Sequence, residues 1–325
     1  MACLEMAASP RRARQDVYLY CGAVLSTAAA VYVARRVLRT YASADLPPPL
    51  DGDAERLLAD PEGLRQRVVR GGCAPHRRRQ VWPRLLGLGP PAELETLFQK
   101  LQVLRKSAAS DGGAQHDVAE AFRVIAVDVP RTPCGVPRRL ECLLQTYAVA
   151  DAGVLYAQGM ADIAAAFEAV FAGPDSDAVL YAAFAAFMRR QRRSFLKDIS
   201  AGLLTRLALL GQLLRLCDAQ VWEALKRLRA TDCIWAMRPV AVCLYRELHP
   251  AEAATVTDVL ISHPDDDYLL YIVAAALLTR RRQILAARAM DDLLLVSNSL
   301  APGTLSVDDL LTMAAQLHRR ALRAS

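Results

Sequence analysis

Aromatic residues make up only 6% of this chain, and none of the short signatures of a self-contained catalytic or metal centre is present. Its eight cysteines (Cys3, Cys21, Cys73, Cys134, Cys142, Cys217, Cys233 and Cys243) include no CxxC pair. That scatter argues against a disulfide framework and predicts reduced, mostly buried thiols in the cytosol. The five histidines form no HExxH or other ligand spacing, so no metal site is expected. There is no Walker loop and no GxGxxG, so the chain supplies no nucleotide pocket of its own. β-Branched residues are not in excess either, which disfavours an all-β domain.

What is abundant is alanine and leucine, within a hydrophobic fraction of 54%. Both residues lose little on entering a helix. Apolar residues step at three to four positions in Leu140-Leu143-Leu144-Tyr147, in Ile163-Ala166-Phe167-Val170, in Leu203-Leu204-Leu207 and along Leu269–Leu278. This is the stripe of helices packed on one another, and no strand-like alternation persists. Ser306-Val-Asp-Asp309 reads as a capping box opening a last helix through His318. The fold class expected is all-α, a single multi-helix domain over residues 51–322. The proline-rich stretch Ala42–Leu50 sets off an N-terminal extension of residues 1–50.

Forty basic against thirty-four acidic residues give a formal charge of +6, with arginines clustered at 77–79, 189–193 and 280–282. Such clusters are solvated helix faces, or else contacts for an anionic membrane or an acidic protein. Nucleic acid is not an expected partner, because no aromatic or glycine-rich recognition pattern accompanies them. Val17–Ala34 runs eighteen residues without a charge, with tyrosines near its ends and arginines after it. The run is just long enough to cross a bilayer. It reads as a membrane-anchor helix at residues 17–34 or as a buried or docked helix. A cleaved signal peptide fits less well, because arginines follow the apolar core directly.

Two short motifs carry the chemistry. In Asp128-Val-Pro130-Arg131-Thr-Pro133, Pro130 fixes its own φ and Pro133 pushes Thr132 away from helical geometry. Arg131 is therefore expected on a stiff, non-helical loop. Taken alone, the pattern fits a local Asp128–Arg131 ion pair equally well. In Tyr156-Ala-Gln158-Gly159-Met160, Gln158 falls between two predicted helices, and Gly159 allows another molecule to approach the backbone closely. Alone, Gln158 is equally a solvated loop residue.

In this order the motifs read IxxDxxR (Ile125 to Arg131) and YxQ, and they resemble the paired signature of the TBC (Tre-2/Bub2/Cdc16) family of Rab GTPase-activating proteins. The likeness extends to Arg70-Gly-Gly72, to Arg78-Arg79-Gln-Val-Trp82-Pro-Arg-Leu-Leu-Gly87, to Ile234-Trp235 with Tyr245-Arg-Glu247-Leu, and to Asp258. Two positions depart from the family pattern: Leu155 stands where a glycine usually precedes the YxQ tyrosine, and Ile234 where an arginine precedes the core tryptophan. The resemblance implies a V-shaped all-helical domain that docks a Rab-family small GTPase. Arg131 would be an arginine finger and Gln158 a glutamine finger. Asp128, Tyr156, Gly159, Arg78 and Trp82 would bind the partner or support the loops. The protein would need no cofactor of its own, since GTP and Mg²⁺ belong to the GTPase. The alternative within the family is a non-catalytic scaffold. The expected location is the cytosolic face of an internal membrane, or the cytoplasm.

Overall fold

The computed structural model describes residues 60–110, 116–173 and 176–324. The run 17–34, the proline-rich break and the start of the domain at residue 51 lie outside them. Among the described residues there is no strand, and no helix is long and apolar enough to cross a membrane.

The first helices are α1 (Pro61–Gly71), α2 (Arg78–Leu85), α3 (Pro91–Ser110) and α4 (His116–Asp128), followed by α5 (Pro137–Ala150), α6 (Met160–Val170) and α7 (Asp177–Gln191). The second half contains α8 (Leu203–Cys217), α9 (Ala219–Arg227), α10 (Met237–Ala241) and α11 (Pro250–Ser262). It ends with α12 (Tyr268–Leu278), α13 (Arg281–Ala286), α14 (Met290–Asn298) and α15 (Val307–Ala324). Local chemistry sets several of these starts. Asp60 accepts the Gly63 N–H at 3.0 Å ahead of Pro61, and Asp218 accepts the Gln220 and Val221 N–H groups, both at 3.0 Å. At the last helix Ser306 Oγ accepts the Asp309 N–H at 3.3 Å, and the helix runs six residues past His318.

Helices α3 to α7 pack mainly on one another, and α8 to α15 do the same, with α12 buried on nearly every side between α8 and α15. Helix α11 joins the halves by packing on α1, α2, α6 and α15. The few aromatic residues are concentrated where α2 meets α6 and α7. Trp82 lies 4.8 Å from Phe167, which in turn contacts Phe184 and Phe187. This cluster fixes α6, the helix that follows the glutamine motif.

Beside it sits the most constrained polar group of the described core. Asp258 on α11 is fully buried and accepts from Cys73 N, Trp82 Nε1 at 2.7 Å, and Arg78 Nε and Nη2, the latter at 2.9 Å. Burial alone raises the pKa of this carboxyl, and the Arg78 guanidinium opposes the shift. Arg78 and Trp82 are themselves 5% and 0% exposed, and they lock α2 to α11 from within the core.

Candidate functional site

The arginine motif continues α4 rather than leaving it. Val129–Arg131 forms a single 3₁₀ turn directly after Asp128, and the chain becomes extended only at Thr132. Proline is tolerated at the start of such a turn, where its missing N–H is not needed, so the expected non-helical loop begins one residue later. Buried Val129 pins the turn from below. Thr132 closes it by donating its N–H to the Val129 carbonyl at 3.1 Å and its hydroxyl to the Asp128 carbonyl at 3.0 Å. Gly135 then donates its N–H to Glu168 Oε2 on α6 at 3.2 Å.

The glutamine motif lies on the connection between α5 and α6. Asp151 organises the base of this connection. It accepts both Arg192 Nε and Nη2, at 3.0 and 2.9 Å, the Gly153 N–H at 3.1 Å and the Tyr147 hydroxyl at 3.2 Å. The Arg192 bonds hold its carboxyl below the usual range for an aspartate. Leu155 donates its N–H to the Asp151 carbonyl at 2.7 Å. Its φ is +59°, a region that a side chain such as leucine's rarely adopts. The family's usual glycine at this place would carry no such penalty. The leucine is buried, and its packing offsets the strain.

Gly159 opens α6 at φ +101°. The surface that approaches its backbone is Val242 of the same chain, whose Cγ1 would stand 2.5 Å from any Cβ placed there. Gly159 is buried, which corrects the expectation of an approach by another molecule.

The two motifs meet. Tyr156 donates its hydroxyl to Asp128 Oδ2 at 2.8 Å, and burial together with that carboxylate pushes the phenol pKa up. The Asp128 side chain is thereby turned towards tyrosine, and no Asp128–Arg131 ion pair forms among the described residues. Arg131 and Gln158 are both exposed, and neither has a hydrogen-bond or ion-pair partner among the described residues. They present a cation and a neutral amide from two braced, short connections. Sequence reading missed the braces Asp151–Arg192 and Gly135–Glu168. The one local signal was an aspartate two residues before a glycine at a helix end, a common turn former. Among the described residues, no group of three or more His, Cys, Asp or Glu side chains is placed to hold a metal ion.

Comparison with known proteins bears on the same region. A family profile described as the Rab-GTPase-TBC domain matches residues 75–286. Human "TBC1 domain family member 25" is 29% identical over 223 residues, covering 63% of this chain and 32% of that protein. "Rab GTPase-activating protein 22" of Arabidopsis thaliana is 30% identical over 122 residues, covering 38% of this chain and 22% of its own length. The chain thus spans about a third or less of the curated relatives it matches. Among solved structures, the Ypt/Rab-GAP domain of Gyp1p superposes with a TM-score of 0.70 at 18% identity, covering 82% of this chain and 96% of that one. The Chlamydomonas flagellar RabGAP TBC domain gives 0.57 at 16% identity, covering 93% and 94%. At these identities the structural likeness speaks for the all-helical fold.

Proposed function

The chain belongs to the Rab-GTPase-TBC domain family, and from that premise we propose that it accelerates GTP hydrolysis by a Rab-family small GTPase. Arg131 enters the partner's nucleotide site and neutralises charge developing on the transferred phosphoryl group, while Gln158 orients the attacking water. GTP and Mg²⁺ stay with the GTPase throughout, and this chain contributes position and electrostatics. An arginine supplied in trans is worth about 10³–10⁵ in rate, or roughly 4–7 kcal/mol of barrier.

The observation that carries this reading is the Tyr156–Asp128 hydrogen bond at 2.8 Å. It couples the two connections so that the exposed side chains flanking it can act on one reacting centre. Effective molarity is gained when both groups are held before the partner arrives. The unit responsible spans residues 51–322. Its role is to switch off a Rab in vesicle trafficking at the cytosolic face of an internal membrane or in the cytoplasm, with residues 17–34 as a tether. Alkaline carbonate extraction of the full chain tests the tether, and release into the supernatant counts against it.

The deciding experiment is single-turnover GTP hydrolysis by a panel of Rabs with the full chain as wild type, Arg131→Ala and Gln158→Ala. Acceleration of one Rab that is lost in both variants is the expected result. Binding without acceleration of any Rab would instead support the scaffold alternative.

A further inference from the structure

Residues 242–247, between α10 and α11, belong to neither motif connection, yet their backbone is strained. Cys243 and Leu244 have φ of +51° and +62°, the one adjacent pair of non-glycine residues in the left-handed region among the described residues. Both are fully buried. Backbone bonds hold the turn: Val242 donates its N–H to the Arg238 carbonyl and Leu244 to the Pro239 carbonyl, both at 3.0 Å, and Tyr245 to the Val242 carbonyl at 2.9 Å. Side chains anchor it as well. Arg238 Nε donates to Glu247 Oε1 at 2.8 Å, with Glu247 fully buried, and the Tyr245 hydroxyl shares a hydrogen bond with Thr257 on α11. Strain held this firmly points to a task for the shape it keeps.

That shape delivers two side chains to the glutamine connection. Val242 Cγ1 would stand 2.5 Å from a Cβ at Gly159, the residue after Gln158. Arg246 spans 84 residues of sequence to reach Asp162, the third residue of α6, and meets its Oδ2 with Nε at 2.9 Å and Nη2 at 2.8 Å. Along the chain, Gln158 therefore lies between Tyr156, tied to Asp128, and Asp162, tied to Arg246. The Arg246 and Asp162 side chains are 43% and 19% exposed. Water screens such a pair, so it adds little to stability. Its worth is positional.

We propose that Arg246 is a positioning residue for Gln158. Through Asp162, and with the Val242–Gly159 contact beside it, the 242–247 turn sets where the glutamine stands before a GTPase arrives. A side chain on an unsupported connection would have to be ordered during the reaction, and a shift of about 1 Å can cost a factor of about 100 in rate. An arginine kept for a partner's carboxylate would be left unpaired, whereas this one is already engaged within the chain. The effect on rate rests on the GTPase-activating reading; the ordering of the connection does not.

The test compares Arg246→Ala, Asp162→Ala, the double variant and Arg246→Lys in the full chain, by amide hydrogen exchange and by single-turnover GTP hydrolysis. In Arg246→Ala, exchange should quicken over residues 151–162, where Leu155 and Met160 donate their N–H groups to the Asp151 and Ala157 carbonyls, and stay unchanged in α3. The melting temperature should barely move. With a responsive Rab, the saturated rate should fall about ten- to 100-fold while the half-saturating concentration stays the same. Asp162→Ala should match this, and the double variant should lose no more than either single one, because all three remove one contact. Arg246→Lys should recover most of the rate. Unchanged exchange in Arg246→Ala overturns the proposal whether or not the wild type accelerates a Rab. So do multiplied losses in the double variant. A raised half-saturating concentration at constant saturated rate also overturns it, and would make Arg246 a contact for the GTPase. Quickened exchange in a chain that accelerates no Rab would support the brace and count against the activity instead.

Discussion

The Tyr156 hydroxyl donates to Asp128 Oδ2 at 2.8 Å across a sequence separation of 28 residues, joining the two motif connections at one point. Tyr156→Phe keeps the ring's packing and removes only this bond. A hydrogen bond to a charged group contributes about 1.5–3 kcal/mol, so a loss of stability of that order should accompany the loss of activity. We expect stimulated GTP hydrolysis to fall about ten-fold with binding of the GTPase nearly unchanged, because the contact orients the connections and does not touch the partner. Stopped-flow hydrolysis and equilibrium binding on the same preparation check this, and equal losses in both would point to general unfolding.

At Arg131, lysine keeps the charge and discards the planar fork that spans two oxygens. Arg131→Lys should therefore be nearly as inactive as Arg131→Ala. Substantial residual activity in the lysine variant would falsify the fork argument while leaving the charge argument intact.

Gly159→Ala meets two obstacles, a φ of +101° and Val242 Cγ1 at 2.5 Å. Left-handed backbone costs a non-glycine residue about 1–2 kcal/mol, and the clash adds to it. Chemical denaturation should show a loss of roughly 2–4 kcal/mol. Adding Val242→Ala should recover the steric part and leave the backbone part, and a double-mutant cycle with no coupling would rule out the contact as the cause.

Arg78→Met should strand the Asp258 carboxylate in a fully buried site. Breaking one partner of a buried pair typically costs about 3–5 kcal/mol. Trp82→Phe removes the 2.7 Å indole bond, about 1.5–3 kcal/mol, and part of the ring volume packed on Phe167, and should still cost less than the stranded carboxylate. Urea titration orders the two, and the reverse order would mean that ring packing outweighs the ion pair.

His263 and His318 give the fold a pH dependence. Their rings lie 5.0 Å apart, and burial, with neighbouring positive charge, pushes their pKa values down to about 2 and about 4 from the ordinary value of about 6.5. His318 Nε2 is 3.8 Å from Asp265 Oδ2, too far for a hydrogen bond, so the attraction does not reverse the effect of burial. The unfolded chain binds these protons first. Stability is therefore full above pH ~6.5 and is lost as pH falls below it. Each histidine should contribute a slope of about 1.4 kcal/mol per pH unit between pH 6.5 and 5. Thermal melts across that range should show the decline, and His318→Gln should remove about half of it.

Much of the fold was legible because helical periodicity is a local property. The stripes at Leu140–Tyr147, Ile163–Val170 and Leu269–Leu278 fall within α5, α6 and α12. The helix expected after Gln158 begins at Met160. The site was less legible. Asp128 and Arg131 are close enough in sequence for an ion pair, and only the arrival of Tyr156 from the next connection decides otherwise. Glu168 and Arg192 carry no motif, and their tasks arise from packing α6 and α7 beside the two connections. Leu155 looked like a simple departure until its φ of +59° showed the backbone keeping a shape that glycine would favour.

The sequence by itself determined an all-helical chain and the two motifs carrying Arg131 and Gln158, because periodicity and turn chemistry act over a few residues. Tertiary structure alone decided that Arg78 and Trp82 are buried locks and that Gly159 faces Val242. Those outcomes depend on which distant helices meet, and burial, desolvation and charge clustering exist only once they have met.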